Sequence, residues 1–157
     1  MKRLYFFFFL SLYVIAVFYL SITTPISPHE AKLFYTSSEP HAIFMHWGHL
    51  LLRDAFLGDF LGLRLFFILF GFLSIGLFYK VSRTYFSYKY DAYMATTLFM
   101  FLPGILTAST LVNVSIIVLP MVLFFILFYE RKNFWLLAGT MLGLFWCMKH
   151  LYSSLWH

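Results

Sequence analysis

The sequence predicts an all-α fold: a polytopic membrane helix bundle of about five transmembrane helices, with an external amphipathic interfacial helix. Three observations carry this prediction. Hydrophobic residues make up 62% of the chain and charged residues 11%, whereas soluble domains average about 45–50% and about 25%. The apolar residues are gathered in runs long enough to cross a bilayer. Most Lys and Arg residues fall between those runs.

The same composition excludes several classes of protein. A soluble domain of 157 residues leaves too much of its surface in water to hide this many apolar side chains, so the chain is not a cytosolic enzyme. The net charge of +5 is spread thinly between apolar runs, which argues against a nucleic-acid partner. Cys147 is the single cysteine of the sequence, which excludes a disulfide scaffold.

The first apolar run extends from Leu4 to Ile22 and follows Lys2 and Arg3. A helix rises about 1.5 Å per residue, so this run crosses a hydrocarbon core of about 30 Å. The run exceeds a signal-peptide core and no small-residue cleavage site follows it, so we expect a retained anchor.

Four further spans follow from the remaining runs. The stretch from residue 92 to 129 is too long for one helix, and we divide it where small polar residues cluster between Thr107 and Asn113. Pro103 and Pro120 then lie inside helices, which membrane bundles tolerate when neighbours satisfy the freed carbonyls. The predicted spans are 4–22, 60–79, 92–110, 111–129 and 134–152.

The Lys and Arg residues of the short connections set the orientation. Seven of them fall on one side of the predicted bundle: Lys2, Arg3, Lys80, Arg83, Lys89, Arg131 and Lys132. We therefore expect a single membrane domain, 1–157, with a cytoplasmic N-terminus and an external C-terminus. The loop 23–59 is then external.

The first half of this external loop predicts a helix that begins after Pro28. Glu30 falls in its first turn, where the helix dipole favours an anion. Its carboxylate is either a helix-start group in an aqueous loop or a catalytic group, and the loop alone does not decide between the two.

The second half, from His41 to Leu57, is amphipathic at helical spacing. An apolar side and a polar side are predicted: Ile43, Trp47, Leu50 and Leu51 on the first, Ala42, His46, His49 and Arg53 on the second. Arg53 either grips an anionic lipid phosphate or lies on the wetted side of a surface helix. A divalent cation held by His29, Glu30, His46 and His49 is a further alternative, although the spacing matches no standard metal motif.

Two features of the spans complete the candidates. Arg64, near the external start of the second span, either snorkels to the surface or contacts a ligand phosphate. Gly139 and Gly143 form a G-x-x-x-G spacing that lets helices pack closely, inside the bundle or against another membrane protein.

The order of these features resembles the N-terminal part of the GT-C-fold glycosyltransferases that use polyprenyl-phosphate sugars. The nearest groups are the protein O-mannosyltransferases and the lipid A aminoarabinose transferases. The matching segments are His29-Glu30-Ala31 with Tyr35, Gly58 to Arg64, the basic connection Lys80 to Lys89, the proline of the third span, and Ala138 to Lys149. The family's first acid is His29 here, and a later external acid corresponds to Asn113.

The resemblance implies sugar transfer from a polyprenyl-phosphate carrier to an external acceptor, in a bacterial inner membrane. It implies Glu30 as the general base. The implied ligands of the lipid phosphate and substrate are Arg64, Arg53, Lys149, His29 and Tyr35. No cofactor is certain, and a divalent cation stays open. Because the family is longer, the chain is expected to be a truncated or shortened relative. The alternative is a non-catalytic membrane protein or a small subunit that packs on a larger membrane partner.

Overall fold

The structure, a computed structural model, describes the backbone of residues 2–36, 42–52 and 59–154, and the side chains of 4–36, 42–51 and 61–145. Within these ranges every regular element is a helix, which confirms the all-α prediction. The helices are α1 (Lys2–Thr23), α2 (Pro28–Thr36), α3 (Ala42–Leu52), α4 (Asp59–Tyr85), α5 (Lys89–Met100), α6 (Pro103–Thr110), α7 (Ser115–Glu130) and α8 (Phe134–Ser154).

The five predicted spans reduce to two or three in the described part of the chain. Leu4–Thr23 of α1 and Leu61–Tyr85 of α4 are long and apolar enough to cross a membrane, and the bent pair α5–α6 would make a third. The count of five is therefore wrong. At about 1.5 Å per residue, the 16 residues of α7 extend about 24 Å, which is less than the hydrocarbon thickness of about 30 Å.

The predicted continuous helix 92–110 is broken near its middle. α5 ends at Met100, α6 begins at Pro103, and their axes differ by 60°. A residue that precedes proline is driven out of the helical region, and Leu102 is accordingly extended, with φ −61° and ψ 127°. Pro103 thus lies at the start of a helix, where its missing N–H costs no hydrogen bond, and not inside one as predicted.

The other boundaries differ from the prediction by a few residues. α7 begins at Ser115 and not at 111; just before it, the side-chain oxygen of Asn113 accepts the Ser115 N–H at 2.9 Å in a turn. Pro120 lies inside α7, as predicted. The helix expected at 134–152 is present as α8.

α4 is the central helix of the bundle, because α1, α3, α5, α6 and α7 all pack against it. Contacts between the helices define two ends of the bundle, which we call the cap end and the basic end. At the cap end, Arg64 of α4 and Val112, which precedes α7, both bond Glu30. At the basic end, the Tyr85 hydroxyl donates to Glu130 Oε1 at 2.9 Å, which joins the last turns of α4 and α7. α4 and α7 are therefore parallel, because their first turns meet at the cap end and their last turns meet at the basic end.

The predicted amphipathic helix is present as α3, but the face that packs along α4 is not the predicted apolar side, and it includes Ala42, which was predicted on the polar side. Phe44 contacts Phe66 and Phe70, with ring centroids 5.8 and 5.4 Å apart, while Gly48 lies against Gly62. This order makes α3 antiparallel to the first part of α4. Its buried positions are Ala42, Met45 and Gly48, and the predicted apolar side, Ile43, Trp47, Leu50 and Leu51, is exposed.

Glycine is required where α3 and α4 approach most closely. A Cβ atom added at Gly48 would overlap the carbonyl oxygen of Gly62, which belongs to the backbone of α4 and has little freedom to move. At Gly76, on the same helix α4, an added Cβ would meet no atom within 4 Å. The two positions therefore form a matched pair for testing the helix contact.

We predict that Gly48→Ala lowers the free energy of unfolding by about 1–3 kcal/mol, since the new methyl group forces the two helix backbones apart. Gly76→Ala is expected to change it by less than about 1 kcal/mol, and in the stabilising direction, because alanine is the better helix former. Unfolding by SDS in mixed detergent micelles measures both. Equal effects of the two substitutions would contradict the close α3–α4 approach.

Candidate functional site

The site begins with the turn between α1 and α2, where Ser27 and Glu30 cap the start of α2. The Glu30 N–H donates to Ser27 Oγ at 3.2 Å, and the Ser27 N–H donates to Glu30 Oε2 at 2.9 Å. This reciprocal pair is the capping box that S-x-x-E sequences form at helix starts. Pro28, as the first helical residue, adds a preset backbone angle. The Glu30 side chain is thereby turned back toward the end of α1.

Arg64, in the second turn of α4, uses all five of its N–H donors at this turn. Its Nε and Nη2 donate to Glu30 Oε1 and Oε2 at 3.0 and 2.9 Å, a bidentate ion pair. The remaining three bonds go to carbonyls at the end of α1 and just beyond it: Nη1 to Ser21 O (2.8 Å) and Thr24 O (2.9 Å), and Nη2 to Pro25 O (3.1 Å). Arg64 therefore caps α1, whose terminal carbonyls have no partner within their own helix.

Glu30 is equally saturated, with two hydrogen bonds at each carboxylate oxygen. Oε1 accepts from Arg64 Nε and from the backbone N–H of Val112, both at 3.0 Å. Oε2 accepts from Arg64 Nη2 and the Ser27 N–H, both at 2.9 Å. The carboxylate thus joins α2, α4 and the segment between α6 and α7 at one point.

Both charged groups are buried: Glu30 is 2% exposed and Arg64 is 1% exposed. Burial alone raises the pKa of the Glu30 carboxyl. The hydrogen bonds from Arg64, Ser27 and Val112 favour the ionised form, and together with the Arg64 charge they hold the pKa of Glu30 below its ordinary value. Glu30 is therefore a carboxylate at neutral pH.

The broken helix positions Val112 for this contact. Ser109 of α6 is bonded to Tyr13 of α1, with 2.9 Å between the two hydroxyl oxygens. α6 also lies close to α4 at Gly71, where an added Cβ would be 2.6 Å from Ser109 Oγ. Since α6 ends at Thr110, fixing Ser109 directs the Val112 N–H toward Glu30.

A cavity of about 450 Å³ opens beside this ion pair. Its walls come from the α1–α2 turn, α2, α3 and α4, and both apolar and polar side chains contribute. The lining residues are Ile26, Ser27, Pro28, Glu30, Ala31, Phe34, Tyr35, His49 and Leu63. Such a mixture of apolar walls and a few polar groups is typical of a small-molecule site.

Aromatic rings shape one wall of the cavity. Phe34 stacks on His46 at 4.7 Å between centroids and meets His49 edge-on at 5.6 Å. Tyr35 is 84% exposed and stands edge-on to Phe34 at 5.6 Å. The wall thus combines flat ring surfaces with the hydrogen-bonding groups of Tyr35 and His49.

The structure brings three of the predicted site residues together. Glu30 and Arg64 form the ion pair, and Tyr35 lines the adjoining cavity. His29 is exposed on α2 and is not among the lining residues. Arg53 lies outside the described residues, and so does the side chain of Lys149 in α8. In the described part of the chain, no three His, Cys, Asp or Glu residues converge as a metal site would require, so the four proposed metal ligands are not assembled there.

This arrangement limits the chemistry open to the two charged residues. A general base needs a free lone pair close to the proton that it removes, whereas every Glu30 lone pair in the plane of the carboxylate is engaged. Catalysis by Glu30, or phosphate binding by Arg64, therefore requires the pair to open. Ser27 and Val112 were missed by sequence reasoning, while His49 was predicted on the polar side of its helix and as a possible metal ligand but not as part of a cavity wall. The S-x-x-E spacing was a usable signal for Ser27. The contact of Val112 is made by its backbone N–H, which every residue except proline carries, so the sequence contains no signal for it.

We predict that the stabilisation contributed by Glu30 is lost in acid. Because the folded-state pKa of Glu30 is lowered, the contribution is fully present above the unfolded-state pKa of about 4.3 and disappears as pH falls through the lower folded-state value. The measurement is the thermal midpoint of wild type minus that of Glu30→Gln between pH 7 and pH 3. The difference should shrink below about pH 4.

Glu130→Gln is the control, because Glu130 is exposed at the opposite end of the bundle and accepts one bond from Tyr85. Its difference from wild type should be small at every pH, since exposed pairs contribute at most about 1 kcal/mol. A difference between wild type and Glu30→Gln that stays constant down to pH 3 would contradict the lowered pKa.

Comparison with known proteins identifies no relative of this chain. No family model matches the chain, and no curated protein or solved structure does so. The likeness to polyprenyl-phosphate-sugar transferases therefore rests on the residues of the chain itself: Glu30, Tyr35, Arg64 and their order along the sequence.

Proposed function

We propose that the chain is an integral membrane protein of the glycosyltransferase type, whose cap end binds a sugar carried on a polyprenyl phosphate. The observation that carries this proposal is the cavity of about 450 Å³ beside the buried Glu30–Arg64 pair. Glu30 belongs to the first motif of the resemblance, His29-Glu30-Ala31 with Tyr35, and Arg64 belongs to the second, Gly58 to Arg64. Tyr35 of the first motif lines the cavity. The two long apolar helices are compatible with membrane insertion.

The orientation we propose places the cap end outside and the basic end in the cytoplasm of a bacterium. Lys80, Lys89, Arg131 and Lys132 are all exposed near the basic end, which is the distribution that cytoplasmic sides of membrane proteins carry. α8 is antiparallel to α7, since Gly143 lies beside Met121. The C-terminus then points toward the external side. This orientation rests on the two ends of the bundle and does not need five full-length spans.

The cavity wall suits a sugar better than a bare phosphate. Phe34 and Tyr35 offer ring surfaces, and Tyr35 and His49 offer hydrogen-bonding groups. Arg64, the cation of the buried ion pair, has no donor left for a phosphate. We therefore assign the sugar to this cavity and place the lipid phosphate outside it.

In this proposal Glu30 and Arg64 are positioning residues while they are paired. They hold α2 against α4 and so fix the ring wall of the cavity. The catalytic role inferred for Glu30 stays a prediction, since it depends on a state in which the pair is open.

The test is binding of undecaprenyl-phosphate-linked mannose or aminoarabinose to the purified full chain in nanodiscs, followed by tryptophan fluorescence. We predict saturable binding to wild type. His49→Ala should weaken it about five- to tenfold, the effect of losing one hydrogen bond and one wall of the site.

His29→Ala is the matched control, because His29 is exposed on the same loop but does not line the cavity. Its affinity should equal that of wild type. Absence of saturable binding to wild type, or equal loss in the two histidine variants, would contradict the assignment of the sugar to the cavity.

A second candidate function is that of a non-catalytic subunit within a larger membrane assembly. The observation that favours it is α8, which packs against α7 and leaves Phe134, Trp135, Leu142 and Phe145 exposed. Gly139 has nothing within 4 Å of an added Cβ, so a partner helix has room to approach there. A wild-type chain that binds neither lipid-linked sugar would favour this candidate.

A further inference from the structure

The basic end of the bundle carries the whole net charge of the chain. Seven basic residues belong to the helix ends and connections there: Lys2, Arg3, Lys80, Arg83, Lys89, Arg131 and Lys132. Asp91 and Glu130 are the acids of the same segments, so the end has a net charge of +5, which equals that of the complete sequence. The rest of the chain has equal numbers of basic and acidic residues.

Aromatic contacts hold the helix ends together at this end. Tyr79 of α4 stacks on Tyr93 of α5 at 5.1 Å between centroids, and Phe6 of α1 lies 4.9 Å from Tyr93. The first turn of α1, with Lys2 and Arg3, therefore lies near the last turns of α4 and the first turn of α5. The helix ends that carry the basic residues are thus held at the same end of the bundle.

Arg83 occupies an unusual position within this group. It lies one turn after Tyr79 on α4 and is half-buried. Its Nη1 atom is buried and has no hydrogen-bond acceptor among the described residues. A buried charged donor without an acceptor is costly, so such a group indicates a missing partner. The chemistry of a guanidinium favours an anion with two oxygens, such as a phosphate.

The nearby acids do not fill this role. Glu130 accepts the Tyr85 hydroxyl, and Asp91 lies in the first turn of α5, where the helix dipole stabilises it. Neither forms an ion pair with Arg83 in the described structure. Neither described acid therefore supplies an acceptor to Arg83, and an anion from outside the chain is the acceptor that we consider.

The surroundings fit a phospholipid better than a free phosphate. Exposed aromatic rings of the neighbouring helix ends lie at the same end of the bundle: Tyr5, Tyr85, Phe86, Tyr88, Tyr129 and Trp135. Lys80, Lys89, Arg131 and Lys132 are exposed beside them. A phospholipid meets both features, because its phosphate faces the cations and its acyl chains cover the apolar helix sides.

We propose that the basic end binds the phosphate groups of anionic phospholipids, with Arg83 as the central ligand and the exposed Lys and Arg residues around it. The inference rests on the membrane embedding in the proposed function. It is independent of the cavity and of sugar binding at the opposite end.

The experiment measures the thermal midpoint of the purified full chain in neutral detergent, with added phosphatidylglycerol or phosphatidylcholine of the same acyl chains. Phosphatidylglycerol should raise the midpoint by about 3–6 °C more than phosphatidylcholine. This difference should diminish in 0.5 M salt, because added ions screen exposed charges. In Arg83→Gln the difference should fall by at least half.

Lys32→Gln is the matched control: it removes the same charge from an exposed position at the cap end, and the lipid difference should be unchanged. If Arg83→Gln does not fold, the double variant Lys89→Gln/Arg131→Gln at exposed sites should also reduce the difference. Equal midpoints in the two lipids, or full retention of the difference in Arg83→Gln, would overturn the proposal. Inorganic phosphate that matches phosphatidylglycerol would overturn the lipid as the ligand.

The membrane embedding is tested separately by alkaline extraction of membranes that contain the chain. Release into the soluble fraction would refute the integral membrane assignment. Retention together with equal midpoints in the two lipids would refute the lipid site alone.

Discussion

The Glu30–Arg64 ion pair is the constraint on which the cap end depends. Two opposite charges that are almost fully buried are tolerated when every hydrogen-bonding position is filled, and this is the case for both groups. To meet that requirement, the end of α1, the start of α2, the start of α4 and the backbone at Val112 must all converge. The pair thus joins four segments, of which α2, α4 and the Val112 segment also pack together through Leu33, Leu63 and Val112, and the cavity lies beside that convergence.

The pair also explains why an irregular helix is present at this level of the bundle. α5 and α6 differ in direction by 60° across the break before Pro103, so α6 reaches the cap end along a different line from α5. The Val112 N–H is available because α6 ends at Thr110 and Leu111 is extended, with φ −115° and ψ 157°, and it donates to the carboxylate. Tyr13 and Gly71 hold α6 in the required place.

Much of this fold follows from the sequence, because long apolar runs flanked by cations leave few alternatives to membrane helices. α1 and the start of α4 were predicted to within about two residues for that reason, although α4 continues to Tyr85, beyond the predicted end at 79. The break at Leu102-Pro103 was missed, although the residue before a proline is a known helix boundary. Glu30 and Arg64 were each identified as candidates, but their pairing depends on where α1 ends in space. Periodicity along the chain contains no information on that point, and the Val112 N–H has no side-chain signature at all.

The functional interpretation changes once the pair is seen. Taken one at a time, a lone external acid and a lone arginine in a span indicate a base and a phosphate ligand. Taken together at 2.9 Å and buried, they first serve to position the cap, and the groups that remain for a ligand are the rings and polar atoms of Tyr35, Phe34 and His49. Charge that is free to act on the surroundings is concentrated at the opposite end, around Arg83.

The most direct test of the central claim is a double-mutant cycle on the pair, with Glu30→Gln, Arg64→Gln and the double variant unfolded by SDS in mixed micelles. If the two residues stabilise the cap as one unit, each single change should cost about 3–5 kcal/mol, and the coupling energy should be about 2–4 kcal/mol. The exposed Tyr85–Glu130 pair, changed to Phe and Gln, provides a reference cycle with an expected coupling below about 1 kcal/mol. Effects of the Glu30 and Arg64 substitutions that add to within about 0.5 kcal/mol would contradict the account.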